Sequence, residues 1–543
     1  MKTPPAGNVR RHRLFRVMIC VATALVVCAP AAASNKKALT RAEKAMRAGD
    51  FQRAEQMYRE MLTKDERDFE ARLGLSKSLL KQRRFQDSFD HAARVLAADP
   101  LSAHAHALLG SVVLATGDFR LSIEEFRTAL TLNENESMAI AGLAMIDFFE
   151  NRNADCVARL RRAISIEGEE PDYIFNLGQA AARAQRYKEA ADAYERFLLI
   201  APKTDEDRRA RIRGLIDFLR YLGQQQSLYD LAGDRTVLAF EDVNNRPIVK
   251  VRVNGSKEYL RFVLDTGSGM SVLSEETAKK IGIKPVARGG MARAIGGCGR
   301  FEIVYGYLNS LELGDIRVDN VPVYIRHFFD SGTQIDGYLG IAALARLITV
   351  VDYGNHRMTF VRQRNDAVDL ATISDEQVNR KPSAQLSRQT GIEIPVRTTA
   401  SGFLSGEVVI DGITKPLNFI IDTGATVSVL SEKAAALEEA PTFLQPDTMR
   451  VFGAAGIAEN VKTALLPKLA IGNYAREKIN AAVLDLEPVN ETAGFQQNGI
   501  LGGNFLRQFR VVFDFQRSVV RLEPLESPAP QKENQMEVTQ SRL

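Results

Sequence analysis

The stretch Phe262-Val263-Leu264-Asp265-Thr266-Gly267 returns 157 residues later as Phe419-Ile420-Ile421-Asp422-Thr423-Gly424. In each copy three apolar residues read as the end of a buried strand, and Asp-Thr-Gly as the tight loop that follows it. Both copies run on at the same spacing into Ser-Val-Leu-Ser-Glu, at 271–275 and 428–432. Each is preceded by a hairpin signal, Asn254-Gly255 and Asp411-Gly412, whose glycine stands ten residues before the Asp. Downstream, Gly337-Tyr338-Leu339-Gly340 in the first copy answers Gly499-Ile500-Leu501-Gly502 in the second. Each copy closes on an apolar strand holding an acid, Asp352 or Asp514. The same landmarks in the same order, twice, mark the duplication of a whole β-rich domain. The copies are assigned to 237–363 and 391–524, with a polar linker over 364–390 and a tail over 525–543 expected to be disordered.

The chain before residue 233 has a different texture, with a period of 34 residues. Aromatics stand at Phe51, Phe85, Phe119 and Tyr187, and Tyr221 continues the series; Asn153 fills the remaining slot. Three positions later come the small residues Ala54, Ser88, Ser122, Cys156 and Ala190. A second aromatic recurs at Tyr58, Phe126 and Tyr194. Pairs of helices with one apolar face each can bury it only by stacking, with small residues permitting close approach and aromatics filling the groove. This pattern resembles the tetratricopeptide repeat, in about five copies over 35–204 with a capping helix to about 233. That resemblance implies a surface for peptide segments or a protein partner. Cys156, in a small-residue slot, reads as a packing residue.

The duplicated half resembles the pepsin and retropepsin family of aspartic peptidases, on the strength of apolar-apolar-Asp-Thr-Gly, a glycine-rich hairpin and apolar-Leu-Gly before a short helix. The implied fold is an α-helical tetratricopeptide solenoid followed by two tandem all-β retropepsin-like barrels. The resemblance makes Asp265 and Asp422 the catalytic pair. Gly267 and Gly424 allow the two loops to approach where a Cβ would not fit. Thr266 and Thr423 would bond across the axis, while Leu339, Gly340, Leu501 and Gly502 would support the loops. The next residues differ, Ser268 against Ala425, and a hydroxyl beside Asp265 would favour its ionised form. Flaps are assigned to 289–300, with Ile295, Gly296, Gly297 and Cys298 at the tip, and to 451–456, with Phe452 and Gly453. Two carboxylates at hydrogen-bond distance share one proton and could activate water against a peptide bond without metal or cofactor. The rival readings are a non-catalytic peptide-binding scaffold and a homodimer that pairs like lobes. Pairing within one chain is preferred, because the linker can set the lobes side by side.

Composition and charge narrow the classes further. Residues 1–33 contain five Lys/Arg and no acid, and the remainder is balanced at 66 basic against 67 acidic side chains. A nucleic-acid role is therefore disfavoured. The basic stretch, the apolar run at 17–27 and Ala31-Ala32-Ala33 read as an export signal, which places the protein in a periplasmic or secreted setting, or at a membrane if the segment stays attached. Beyond that segment the cysteines Cys156 and Cys298 lie in different domains, so neither a disulfide framework nor a metal site is indicated. The six histidines form no metallopeptidase pattern.

Overall fold

Helices begin where the 34-residue period places its slots. In the computed structural model, which describes residues 36–296, 299–329, 334–363 and 392–525, these are Phe51–Lys64, Phe85–Ala98, Phe119–Leu132, Asn153–Ile166 and Tyr187–Ile200. They alternate with Phe69–Lys81, Ala103–Thr116, Ser137–Phe149 and Pro171–Arg183. A helix over 36–48 precedes them and Glu206–Leu222 follows. Aspartates set several starts: Asp50, Asp68 and Asp205 accept from the backbone N–H three residues on, at 3.1, 2.9 and 2.8 Å. The small residues of the period, Ala54, Ser88, Ser122, Cys156 and Ala190, are all fully buried. The second aromatics lie on glycines of a neighbouring helix. A Cβ at Gly74, Gly110 or Gly178 would stand 2.4, 2.7 or 2.9 Å from the ring of Tyr58, Phe126 or Tyr194.

The chain packs as two units. One holds the described residues up to Leu114, with Arg120–Ala139 and Ala201–Thr204; the other holds Ala115–Phe119, Ile140–Ile200 and everything from Asp205 on. The second unit contains the later helices and both β-rich lobes. The last helix ends at Leu222 on Gly223, short of the expected 233, and Asp230–Ala232 is already a strand paired with Ile316–Arg326. Two stretches there, Leu228 with Tyr229 and Leu231, pack with apolar side chains, so the chain is drawn into the first lobe before the helical pattern has formally run out.

Each lobe is built on the same arrangement. In lobe one Gly337–Leu339 lies parallel to Leu260–Leu264 and antiparallel to Ser271–Ser274. In lobe two Gly499–Leu501 does the same between Leu417–Ile421 and Ser428–Ser431. Each sheet curls back on itself: Arg300–Leu313 pairs with both Arg246–Val253 and Ile316–Arg326, and Gly456–Ile471 pairs with both Leu404–Ile410 and Tyr474–Leu484. The lobes are joined by a six-stranded sheet. Its centre is the antiparallel pair Leu347–Asp352 and Phe509–Asp514, flanked by Arg357–Arg362 with Arg235–Ala239 on one side and Val519–Pro524 with Ile392–Pro395 on the other. The closing acids cap turns in this sheet. Asp352 accepts from Asn355 N at 2.9 Å and Asp514 from Arg517 N at 3.0 Å.

The segments assigned from sequence to the export signal and the linker lie outside the described residues, as do Gly297, Cys298 and the tail after residue 525. Among the described residues no helix is long and apolar enough to cross a membrane, and no group of His, Cys, Asp and Glu could hold a metal ion.

Candidate active site

The two Asp-Thr-Gly loops meet, and their threonines tie them together. Thr266 Oγ1 donates to the Ile421 carbonyl at 2.7 Å and accepts from Thr423 N at 3.0 Å. Thr423 Oγ1 returns the pattern, donating to the Leu264 carbonyl at 2.6 Å and accepting from Thr266 N at 3.2 Å. Both threonines are 0% exposed. Each hydroxyl therefore satisfies one carbonyl and one N–H of the opposite lobe, groups that would otherwise be buried without a partner.

This crossing brings Asp265 and Asp422 into contact within one chain, so no second copy is needed to form the pair. Their carboxyl groups face each other closely enough that each acts on the other's ionisation. The glycines leave room for it: a Cβ on Gly267 would stand 2.4 Å from the Asp422 carboxyl carbon, and one on Gly424 would stand 2.7 Å from Asp265 Oδ1. The glycine N–H groups orient the carboxylates, Gly267 N donating to Asp265 at 3.0 Å and Gly424 N to Asp422 at 2.7 Å.

The landmark pairs hold these loops from behind. Leu339 and Leu501 accept from the backbone N–H of Asp265 and Asp422 at 3.1 and 3.0 Å. Gly340 and Gly502 donate to the hydroxyls of Ser271 and Ser428 at 3.1 and 3.2 Å. The Ser268 and Ala425 carbonyls accept from Ile341 N and Gly503 N at 2.9 and 2.7 Å, so residue 268 and residue 425 brace the loop through backbone in the same way. The Ser268 hydroxyl corrects the sequence expectation. It donates to the Met270 carbonyl at 2.7 Å and is therefore not what sets the ionisation of Asp265.

Electrostatics make the pair unequal. The Asp265 carboxyl is pushed well above the ordinary range, first by burial and then by the charge of Asp422. Burial also raises Asp422, but the N–H groups of Gly424, Ala425 and Gly267 and the hydrogen bond from Asp265 pull it back. Both carboxyls are thus raised, and they titrate as one coupled pair set in unequal surroundings. Both residues keep some surface open, as a site that takes up water requires.

The flap segments form two hairpins. In lobe one Ala287–Arg293 and Arg300–Leu313 are joined over 294–299, with a bulge where Gly290 adopts a φ of 67°. In lobe two Leu444–Gly453 turns directly into Gly456–Ile471. The tips meet: Ala455 N donates to the Ile295 carbonyl at 3.0 Å, and a Cβ on Gly296 or Gly453 would stand 2.1 or 2.2 Å from backbone of the opposite tip. Arg293 forms an ion pair with Glu491 of lobe two. Ile295 packs on the apolar cluster of lobe two, while Phe452 is half open to solvent.

Helices reach the same region. Phe218, on Glu206–Leu222, stacks on Tyr305 of the lobe-one hairpin at 4.3 Å, and Arg211 donates to the Met291 carbonyl at 2.8 Å. A Cβ on Gly214 would stand 2.0 Å from the Arg288 carbonyl, so helix and hairpin are in backbone contact. On lobe two, Phe495 packs against Phe119 and Phe149 at 4.9 and 5.0 Å, and Arg183 donates to the carbonyls of Thr399 and Ala400 at 2.6 and 3.2 Å. None of these contacts was signalled by a motif. Gly214, an isolated glycine within a helical pattern, was the one local hint.

Comparison with known proteins agrees with both halves. Residues 249–343 and 406–505 match the aspartyl protease family, and 45–112 and 171–204 match the tetratricopeptide repeat. Among solved structures, the aspartic proteinase of Irpex lacteus is similar over 55% of this chain and 99% of its own, at 15% identity and a TM-score of 0.35. A tetratricopeptide-repeat protein of Thermus thermophilus is similar over 34% of this chain and 98% of its own, at 19% identity and a TM-score of 0.29. No curated protein sequence matches the chain. The chain thus carries stretches that match the tetratricopeptide repeat ahead of two stretches, one in each β-rich lobe, that match the aspartyl protease family.

Proposed function

We propose that this protein is an aspartic endopeptidase that hydrolyses peptide bonds by activating water between Asp265 and Asp422. The observation that carries the reading is the close approach of two carboxyl groups on threonine-locked loops, each beside the glycine of the other loop. Ionised Asp422 removes a proton from water, whose oxygen attacks the scissile carbonyl carbon. Asp265 donates its proton to the carbonyl oxygen, which gives a neutral tetrahedral diol. Collapse of the diol returns a proton to Asp265 through its lost hydroxyl hydrogen, while Asp422 passes its proton to the departing amine. The C–N bond breaks and both carboxyls regain their starting states. The step needs only the two carboxyls and the water it consumes.

The two hairpins act as a lid. Among the described residues the tips meet through the bond from Ala455 N to the Ile295 carbonyl, and parting there admits an extended peptide over which they close. The repeat helices recruit a partner or substrate protein, a role common to such arrays. Residues 1–33 direct export, which cell fractionation of the full chain tests.

The deciding experiment incubates the full chain with a mixed peptide library, with and without a statine-type inhibitor. Wild type cleaves and the inhibitor blocks it; Asp265→Asn and Asp422→Asn each abolish cleavage. Wild-type binding of peptide without cleavage at any pH would leave a scaffold in place of an enzyme. Partial activity in both single variants would point instead to like lobes pairing between chains.

A further inference from the structure

The duplication allows the walls of the cleft to be compared position by position. In lobe one the strand Ser271–Ser274 lies parallel to the end of Ile316–Arg326, with Ser274 opposite Arg326. In lobe two Ser428–Ser431 lies parallel to the end of Tyr474–Leu484, with Ser431 opposite Leu484. Ser274 and Ser431 are the same position in the repeated Ser-Val-Leu-Ser-Glu. Arg326 therefore stands in lobe one where Leu484 stands in lobe two.

The surroundings of the two side chains differ accordingly. Leu484 belongs to an apolar cluster with Ile420, Val429, Val461 and Ile500, against which Ala425 and Val427 of the Asp422 loop also pack. Arg326 lies over the Phe301 ring of the lobe-one flap at 5.2 Å from its centre. Its Nε is buried with no hydrogen-bond partner among the described residues. Tyr338, Asp265 and Tyr324 are the groups close enough to influence its charge. Asp265 feels it in return, as one of the groups opposing the rise of its own pKa. Asp265 is already bonded to Asp422 and Gly267, so it is not the missing partner. A desolvated guanidinium with a free donor, stacked under a flap and within electrostatic reach of a catalytic carboxyl, is arranged to receive an anion that arrives with the substrate.

We propose that Arg326 is a specificity-determining residue that recognises a carboxylate on the substrate, an Asp or Glu side chain beside the scissile bond on the lobe-one side. The lobe-two side offers no charge at the matching position. Cleavage is then selective for peptides that carry an acidic residue on one side of the bond only. This rests on the peptidase reading, and the test separates the two.

The test uses peptides built around one mapped cleavage site, with amidated C-termini, carrying Glu, Gln or Lys in turn at each nearby position. Wild type is expected to favour Glu over Gln at one position by ten- to a hundred-fold in kcat/KM, the discrimination a charge-assisted bond in a desolvated site supports. Arg326→Leu, which installs the residue of lobe two, loses that preference. Arg326→Lys keeps part of it, and Arg326→Glu shifts it to the Lys peptide. A peptide with a free C-terminus and no acidic side chain distinguishes a terminal carboxylate from a side chain. Efficient cleavage with equal rates for Glu and Gln in wild type overturns the inference and leaves the peptidase reading intact. If no peptide is cleaved, the affinities of the Glu and Gln peptides for Asp265→Asn still decide it, since equal affinities overturn the assignment and a ten-fold difference upholds it.

Discussion

Replacing Thr266 by Val separates the hydroxyl from its shape. The substitution keeps the buried volume but removes an oxygen that donates to the Ile421 carbonyl at 2.7 Å and accepts from Thr423 N at 3.0 Å. The site is fully buried, so water cannot replace either partner. Leaving one buried carbonyl and one buried N–H unsatisfied costs about 1–3 kcal/mol each, so a loss of about 2–6 kcal/mol is expected. Thr266→Ser keeps the hydroxyl and loses only a methyl, for about 1 kcal/mol. Urea titration of the full chain reads the stability difference, and peptide cleavage reads the geometry of the carboxyl pair. Thr266→Val should lose most activity even where it remains folded, because the loops that align Asp265 with Asp422 are no longer tied. The doubly substituted Thr266→Val/Thr423→Val should cost clearly less than the sum of the singles, since the two hydroxyls serve one interlocked set. If Thr266→Val proved no less stable and no less active than Thr266→Ser, the interlocking bonds would not be what holds the pair together.

Three other expectations follow from the same geometry. Because burial and Asp422 raise the Asp265 pKa, the folded state binds that proton more tightly than the unfolded chain does, and stability falls as pH rises from the ordinary carboxyl range through the raised value. Asp265→Asn should remove that decline, giving a higher Tm than wild type at neutral pH and a similar one in acid; parallel Tm profiles for the two proteins would refute this, and wild-type activity should fall over the same rise in pH as the shared proton is lost. Phe218→Ala should cost about 3–5 kcal/mol in the helix contact with the lobe-one hairpin, and amide exchange over 287–313 should quicken, whereas unchanged exchange there would mean the hairpin holds its own shape. Gly453→Val places a Cβ within 2.2 Å of the Ile295 carbonyl, so the tips should part and kcat/KM drop on the order of tenfold; an unaltered value would mean that tip contact plays no part in turnover.

What could be read from sequence was whatever had to be satisfied locally. The Asp-Thr-Gly loops were legible because close approach demands glycine and cross-bonding demands a hydroxyl, and both demands fall on adjacent residues. The helix pairs were legible because small residues must recur wherever an aromatic is received. The six-stranded sheet was not, since Leu347–Asp352 finds its partner Phe509–Asp514 some 160 residues away and nothing in either strand names the other. Its acids, Asp352 and Asp514, marked the duplication in the sequence and are turn caps in the structure. The Ser268 hydroxyl was misjudged for a related reason: only the loop's actual path decides that it meets the Met270 carbonyl and not the neighbouring carboxylate. Arg326 carries no motif at all. Its meaning appears only when the parallel register sets it against Leu484.

The two lobes share a skeleton but not their neighbours, and this is where a tandem chain differs from a dimer of single lobes. In a symmetric dimer each substitution appears twice, so any charge placed on one wall of the cleft faces its copy on the other. Here the lobe-one flap strands end at Arg293 and resume at Arg300 while those of lobe two end at Gly453 and resume at Gly456, and the lobe-one hairpin lies against the helix Glu206–Leu222. The pair of carboxyls is symmetric in backbone and unequal in surroundings, because N–H groups of Gly424, Ala425 and Gly267 act on Asp422 while Asp265 has Gly267. On the peptidase reading proposed above, such an inequality would set which carboxyl acts as base before substrate arrives, and Arg326 on one wall would set which way the peptide lies. Covalent linkage of the lobes lets both be set independently of the shared loop geometry that chemistry requires.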